Sequence, residues 1–185
     1  MYMPTDVLSR VSKRLDSAEP QETGLRRAAV GIMVSEDDRP STLMITRARR
    51  SGDPWSGQVA FPGGKAQQED RKAVETAVRE TREEVGIDLL TEGRFLGYAE
   101  ASTTHTGTMS VVPCVFAVPR RLEVFPNAEV ASHRWLELEV LLSAKSRSSY
   151  GLEVGGKTVS LPAIRVEDYV IWGLSHRIII NLFGA

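Results

Sequence analysis

Residues 63–87 read GGKAQQEDRKAVETAVRETREEVGI, and this stretch decides what kind of molecule the chain becomes. From Asp70 to Val85 the pattern is helical. Val74, Val78, Thr81 and Val85 recur at i, i+4, i+7 and i+11, which predicts the core-facing stripe. Gly86 stands where a helix ends in a left-handed residue, and Asp70 suits the N-cap, where a side-chain oxygen takes up a spare amide. On such a helix Glu80, Glu83 and Glu84 fall at i, i+3 and i+4, so three carboxylates crowd one face. Like charges so close repel, and a helix gains nothing from the placement unless a cation joins them. Two readings stay open on the helix alone. Either the acidic face is solvated and balanced by Arg79 and Arg82, or its hard oxygens hold Mg²⁺ or Mn²⁺, which bind a few carboxylates plus substrate phosphates. Gly63 and Gly64, expected to form a loop, favour the second reading, because bare backbone can approach a metal or phosphate.

Working outward, Thr5 to Asp16 predicts a short helix with Leu8, Val11 and Leu15 on one side, and Ser17 to Gly24 a polar linker. Ala28 to Val34 and Thr42 to Arg47 are strand candidates, separated by the polar turn SEDDRPS at 35–41. Gly52 to Gly57 reads as a loop, followed by a brief apolar piece, Val59 to Phe61. Downstream, Arg94 to Glu100, Ser110 to Val118 and His133 to Leu138 read as strands, and Glu137 to Leu142 as a short helix. Gly155-Gly156 within Glu153 to Leu161 predicts a hairpin. Glu167 to Phe183, with Val170, Leu174, Ile178 and Leu182 at helical spacing, predicts a closing helix. Strands mixed with two or three helices point to an α/β sandwich around a mixed sheet. The expected division is residues 1–27 as N-terminal helix and linker and 28–185 as the domain.

The bulk properties narrow the function. A chain of 185 residues can bury a real core as one domain. With 23 Lys and Arg against 24 Asp and Glu, the net charge of −1 gives no field favouring nucleic acid or an anionic membrane. The lone Cys114 excludes an internal disulfide and a cysteine-based zinc site, and reads as core in a reducing compartment. The start, MYMPTDVLSR, lacks a basic n-region and an apolar h-region. No apolar run approaches the roughly 20 residues of a membrane span. A cytoplasmic, soluble, single-domain protein is expected, as a monomer or homodimer. His105 and His133 have no spacing that marks a triad or zinc site, and His176 is expected half-buried rather than catalytic.

The segment quoted first resembles the signature box of the Nudix hydrolases: a glycine, five residues, an acid, a spacer, then Arg-Glu-x-x-Glu-Glu-x-Gly and an apolar residue. Gly64, Asp70, Arg79, Glu80, Glu83, Glu84, Gly86 and Ile87 fill those places. Two departures stand in it. The acid is Asp70 rather than Glu, and eight residues rather than seven separate it from Arg79. The resemblance implies a Nudix-type α/β/α sandwich and metal-dependent hydrolysis of the pyrophosphate bond of a linked nucleoside diphosphate. It makes Glu80, Glu83 and Glu84 ligands of Mg²⁺ or Mn²⁺, helped by a backbone carbonyl near Gly63 or Gly64. Arg79 becomes structural, holding a neighbouring carboxylate. A general base must take a proton from the attacking water, and Glu83 or Glu129, in PNAEV at 126–130, is the candidate.

Residues 45–64, ITRARRSGDPWSGQVAFPGG, are similar to the segment that coenzyme A pyrophosphatases carry before their box. Thr46, Arg47, Gly57, Gln58, Val59, Phe61, Pro62, Gly63 and Gly64 match it. The longer spacer to Arg79 is also similar to that subgroup. So are Val112-Pro113, Asn127-x-Glu129-Val130 and Ile171-Trp172-Gly173-Leu174. Trp55 stands where that subgroup has a His, and Ala48 where it has a Ser. Trp55 offers a face to an adenine or a pantetheine arm, or packs on the core. Arg47, Arg49, Arg50 and Lys65 flank the glycines, and guanidinium groups bind phosphate oxygens bidentately. The resemblance therefore implies cleavage of coenzyme A or acyl-coenzyme A, with Arg47, Arg49, Trp55 and Lys65 meeting substrate. ADP-ribose, a dinucleotide or a nucleoside triphosphate are the alternative substrates. A non-catalytic nucleotide-binding module is the remaining class, and it would be expected to lose glutamates that are all present here.

Overall fold

The computed structural model describes residues 4–20, 26–52, 55–104 and 107–184. Its first element, α1 (Pro4–Ser12), buries Val7 and Val11 and half-buries Leu8. It stops four residues short of the predicted end. Asp16 instead bridges to Tyr98, the two exchanging backbone hydrogen bonds at 2.8 Å each. Residues 21–24 of the expected linker, and His105, lie outside the described residues.

Four strands follow: β1 (Arg26–Ser35), β2 (Ser41–Arg47), β3 (Val59–Ala60) and β4 (Gly63–Lys65). The last corrects the sequence reading, which expected a loop at Gly63-Gly64. The pair lies in a strand antiparallel to β1, with Ala29 opposite Gly64 and Val30 opposite Gly63. Next come α2 (Ala73–Val85), the one-turn α3 (Leu89–Glu92), β5 (Arg94–Tyr98), β6 (Ser102–Thr103) and β7 (Met109–Val118). The main sheet has the order β4-β1-β7-β5, with β6 also on β7. β1 and β7 run parallel, in register from Arg26↔Met109 to Ser35↔Val118. Every residue of β7 is buried, as a central strand covered on both faces requires.

Period-two alternation on these strands separates two cores. Ala29, Met33, Val112, Cys114 and Phe116 cluster with Ala73 and Ala77 of α2. Ile32, Val34 and Val115 cluster instead with Val7 and Val11 of α1 and with Ile178, Ile179 and Leu182 near the C-terminus. The sheet is thus sandwiched between helices, the α/β/α arrangement expected.

The chain continues through β8 (Val130–Glu137) and α4 (Leu138–Leu142). β8 joins β2 and β3 in a second, antiparallel sheet. β9 (Arg147–Val154) and β10 (Lys157–Val166) form the expected hairpin around Gly155-Gly156, longer than the sequence predicted. The predicted helix over Glu167 to Phe183 is corrected: its first part is β11 (Tyr169–Trp172), paired with β10, and only Gly173–Phe183 is helix, α5. Two left-handed residues explain the break, Glu167 at φ 52 and Gly173 at φ 62. Between them Tyr-Val-Ile-Trp has strand chemistry.

Candidate active site

Helix α2 starts without a side-chain cap. Lys72 holds the N-cap position in extended conformation, so the expected Asp70 cap is corrected. Ala73 N–H instead donates to Glu19 Oε1 at 2.8 Å, a partner that nothing in the local sequence announces. At the other end Gly86, at φ 73, returns its N–H to the Arg82 carbonyl, as predicted. Two further end carbonyls are taken by the loop after β7. Phe125 N–H donates to Val85 and Asn127 N–H to Glu84, both at 2.9 Å. The loop that carries Glu129 is therefore tied to the helix that carries the other carboxylates.

The three glutamates have different surroundings. Glu84 is buried, accepts a hydrogen bond from Gly63 N–H at 2.9 Å, and lies 3.8 Å from Arg47 Nη1. Burial pushes its carboxyl up to about 7, against the pull of the Gly63 amide and Arg47, while the charges of Glu80 and Glu129 push the same way as burial. Glu80 is raised too, chiefly by burial, with Arg79 opposing. Glu83 is exposed at the rim, 3.4 Å from Arg79 Nη1.

Arg79 ties this face together. Its Nη2 donates to Asp70 Oδ2 at 2.8 Å and to the Lys65 carbonyl at 3.1 Å, and its Nη1 to Glu80 Oε1 at 2.9 Å. Asp70 is itself buried and also accepts from Thr76 Oγ1 at 3.0 Å and Gln67 N–H at 2.9 Å. The Arg79 hydrogen bonds hold the Asp70 carboxyl below its ordinary range, and that carboxylate raises the guanidinium in turn. The one-residue-longer spacer does not break the pair, because Arg71 and Lys72 lie outside the helix and absorb it.

The other predicted residues fall into two groups. Glu129 reaches the site, since its charge is felt by both Glu80 and Glu84. It is half-exposed and bridged to Arg50 Nη1 at 3.1 Å, a clamp the sequence did not reveal. Arg47 turns inward to Glu84. Arg49 lies exposed along Gly57, and Lys65 is exposed at the end of β4. Trp55 packs against the cluster of Ala28, Met109 and Val111, which is the core-packing alternative.

The lining fits a divalent cation. A Cβ on Gly64 would lie 2.5 Å from Glu80 Cδ, so strand backbone and carboxylate are already in contact. Two carboxylates whose charged forms burial disfavours are what a cation would compensate. Carboxylate and carbonyl oxygens suit Mg²⁺ or Mn²⁺ rather than a soft metal. Among the described residues no three His, Cys, Asp or Glu side chains stand close enough together to hold a metal ion by themselves. Ions that keep several waters and share substrate phosphates do not need an all-protein cage.

Comparison with known proteins agrees with this geometry. Residues 25–152 match the NUDIX domain family. The protein of Yersinia pestis (strain Pestoides F) named uncharacterized Nudix hydrolase NudL is 35% identical over 158 residues, covering 85% of this chain and 78% of that one. The protein of the same name from Yersinia pseudotuberculosis matches equally. A crystal structure of a MutT/nudix family protein from Enterococcus faecalis superposes with a TM-score of 0.59 at 17% identity, over 89% of this chain and 63% of that one. A C. elegans Ap4A hydrolase in binary complex gives 0.51 at 19% identity, over 60% of this chain and 80% of that one. With its glutamate helix, Arg79–Asp70 brace and glycine strand in these places, the chain belongs to the Nudix family and is a pyrophosphohydrolase.

Proposed function

We propose that the substrate is coenzyme A or a short acyl ester of it, cleaved by water at the pyrophosphate to adenosine 3′,5′-bisphosphate and (acyl-)phosphopantetheine. The observation behind this reading is how the 46–64 segment folds back on itself beside the carboxylates. Thr46 pairs with Val59, Arg47 N–H donates to the Gln58 carbonyl at 3.0 Å, and Gly57 N–H returns to the Arg47 carbonyl at 3.1 Å. The same run then delivers Gly63 N–H to Glu84. The residues similar to the coenzyme A subgroup thus run together to Glu84, one of the carboxylates assigned to the metal.

Glu80, Glu83 and Glu84, with the Gly64 carbonyl, are assigned to hold Mg²⁺ or Mn²⁺. When bound, such an ion neutralises diphosphate charge and acidifies the attacking water. Glu129 is assigned to take the proton at its carboxylate, with Glu83 as the second candidate. A half-exposed bridge such as Arg50–Glu129 contributes little stability, so substrate phosphates can draw Arg50 away and free the base. Exposed Arg49 and Lys65 are assigned to the ribose 3′-phosphate and the pyrophosphate, while Arg47 acts through Glu84.

The test compares kcat/KM on coenzyme A, its 3′-dephospho form, ADP-ribose and Ap4A, then repeats the set with Arg49→Ala and Lys65→Ala. A charge-assisted contact contributes roughly 1.5–3 kcal/mol, so the 3′-phosphate should be worth about tenfold to a hundredfold in efficiency. One of the substitutions should erase that preference. Equal efficiency with and without the 3′-phosphate leaves the pyrophosphohydrolase intact and removes the coenzyme A assignment.

A further inference from the structure

The third sheet ends in an open edge. Its order is β11-β10-β9, and among the described residues β10 is the strand partner of β9. β9 runs eight residues in unbroken register with β10. It contains no proline, lysine or bulge, three of the devices that make an edge strand unattractive to another strand, and its two charges, Arg147 and Glu153, are of opposite sign. Arg147, Ser149, Gly151 and Glu153 are exposed along it, while Ser148, Tyr150 and Leu152 are half-buried. The Tyr150 ring stacks on Trp172 with centroids 4.3 Å apart. At the hairpin tip Val154 and Val159 are 50% and 44% exposed.

This strand is complementary to itself when reversed. Two copies running antiparallel about a two-fold axis at Tyr150 set Arg147 of one protomer opposite Glu153 of its partner, and the reverse pair follows by symmetry. Ser149 then faces Gly151, Ser148 faces Leu152, and Tyr150 faces its own copy. Opposite charges directly across a strand pair attract, and like charges repel. An isologous interface demands this kind of self-complementarity. Moving the axis to Ser149 sets Arg147 against Gly151, and moving it to Gly151 sets Glu153 against Ser149, so the charge match specifies a single register. We propose that β9 pairs in this register with β9 of a second copy of the chain, joining the two third sheets into one sheet across a homodimer.

Sedimentation equilibrium on the full chain tests the proposal, with far-UV circular dichroism confirming the fold of each variant. The wild type should dimerise. Arg147→Glu or Glu153→Arg alone puts like charges opposite each other at two symmetric positions, and should weaken the dimer by about tenfold or more. The double variant Arg147→Glu/Glu153→Arg should restore it. Tyr150→Cys should cross-link spontaneously in air, because residues directly opposite in an antiparallel pair have Cα separations that a disulfide accepts. Ser149→Cys, which faces Gly151, should cross-link far less, and the native Cys114 is buried and gives no background. A wild type that stays monomeric at every concentration overturns the proposal. So does a dimer indifferent to both charge reversals, or one in which Ser149→Cys links as readily as Tyr150→Cys.

Discussion

Gly63 and Gly64 are adjacent, yet replacing each by Ala should fail in opposite ways. Gly63 sits at φ 154, and a Cβ there would lie 2.3 Å from the Ala29 carbonyl oxygen and 2.6 Å from Val30 Cα. Both obstacles are backbone of the central strand β1, which cannot yield locally. A conformation reserved for glycine costs about 1–3 kcal/mol in another residue, and overpacking a similar amount. Gly63→Ala should therefore lose about 3–5 kcal/mol of stability, with activity lost as a consequence. Gly64 has no such φ, and the three atoms nearest its added Cβ all belong to the Glu80 carboxylate, at 2.5–2.6 Å. That carboxylate is the end of a flexible side chain and can swing aside, so Gly64→Ala should stay within about 1 kcal/mol of wild type. The displaced carboxylate should instead cost about tenfold to a hundredfold in kcat, the loss of one misplaced electrostatic contact. Urea melts and Mn²⁺ binding by calorimetry, run on both variants, separate the two outcomes. If Gly64→Ala unfolds like Gly63→Ala, or keeps full metal affinity, Glu80 is not held against this strand as a ligand.

Asp70→Asn should lower stability by about 2–4 kcal/mol at neutral pH, because it strips the most buried of three charge partners from a mostly buried Arg79. The folded Asp70 carboxyl is lowered, so its contribution is present above the unfolded value near ~3.9 and fades as pH falls through the folded one. Melting temperatures of wild type and variant should accordingly converge in acid, and parallel curves would refute the assignment. Glu84→Gln keeps shape and removes a charge that burial already disfavours. Turnover should fall about a hundredfold or more while urea stability stays within about 1 kcal/mol, and an unfolded variant with full specific activity would make Glu84 structural. Chelation should abolish hydrolysis, and Mg²⁺ or Mn²⁺ should restore it and raise the melting temperature by mass action. Turnover that survives thorough chelation contradicts the metal assignment.

Much of the fold was legible because it rests on local pattern. The short apolar runs of β1, β2 and β7 and the glycine after Val85 each follow from a rule that acts over a few residues. What escaped depends on contacts from elsewhere. The predicted stripe is offset from the core face of α2: Thr81 and Val85 are buried as expected, but Val74 and Val78 are only half-buried at the edge of the same cluster, and Ala73, Thr76 and Ala77 fill its centre. The reason lies on β1, where a Cβ on Gly31 would come 2.5 Å from Thr81 Oγ1. Helix and strand approach so closely that small side chains, not valines, fit between them. Gly63-Gly64 looked like a loop because glycine normally weakens strands, and only the pairing with Ala29 and Val30 shows why no larger residue fits at Gly63. The glutamate cluster was readable from spacing, but the Arg50 clamp on Glu129 was not, since the two lie 79 positions apart.

The site as a whole is a place where the fold accepts a local penalty. Two carboxylates on α2 are placed where burial raises them, although Glu83 on the same helix shows that an exposed position was available. Several contacts hold them there: the Arg79 guanidinium braced by Asp70, the Gly63 amide, and Arg47. None of these removes the penalty for Glu84, whose carboxyl remains near 7. Near neutral pH Glu84 would therefore release its proton to solvent when a cation binds beside it. On the proposed metal assignment the braces fix positions and a bound cation would supply the missing charge. By the same proposed assignment Arg79 is occupied in orienting Glu80 against Asp70, and the exposed Arg49 and Lys65 remain for substrate phosphates.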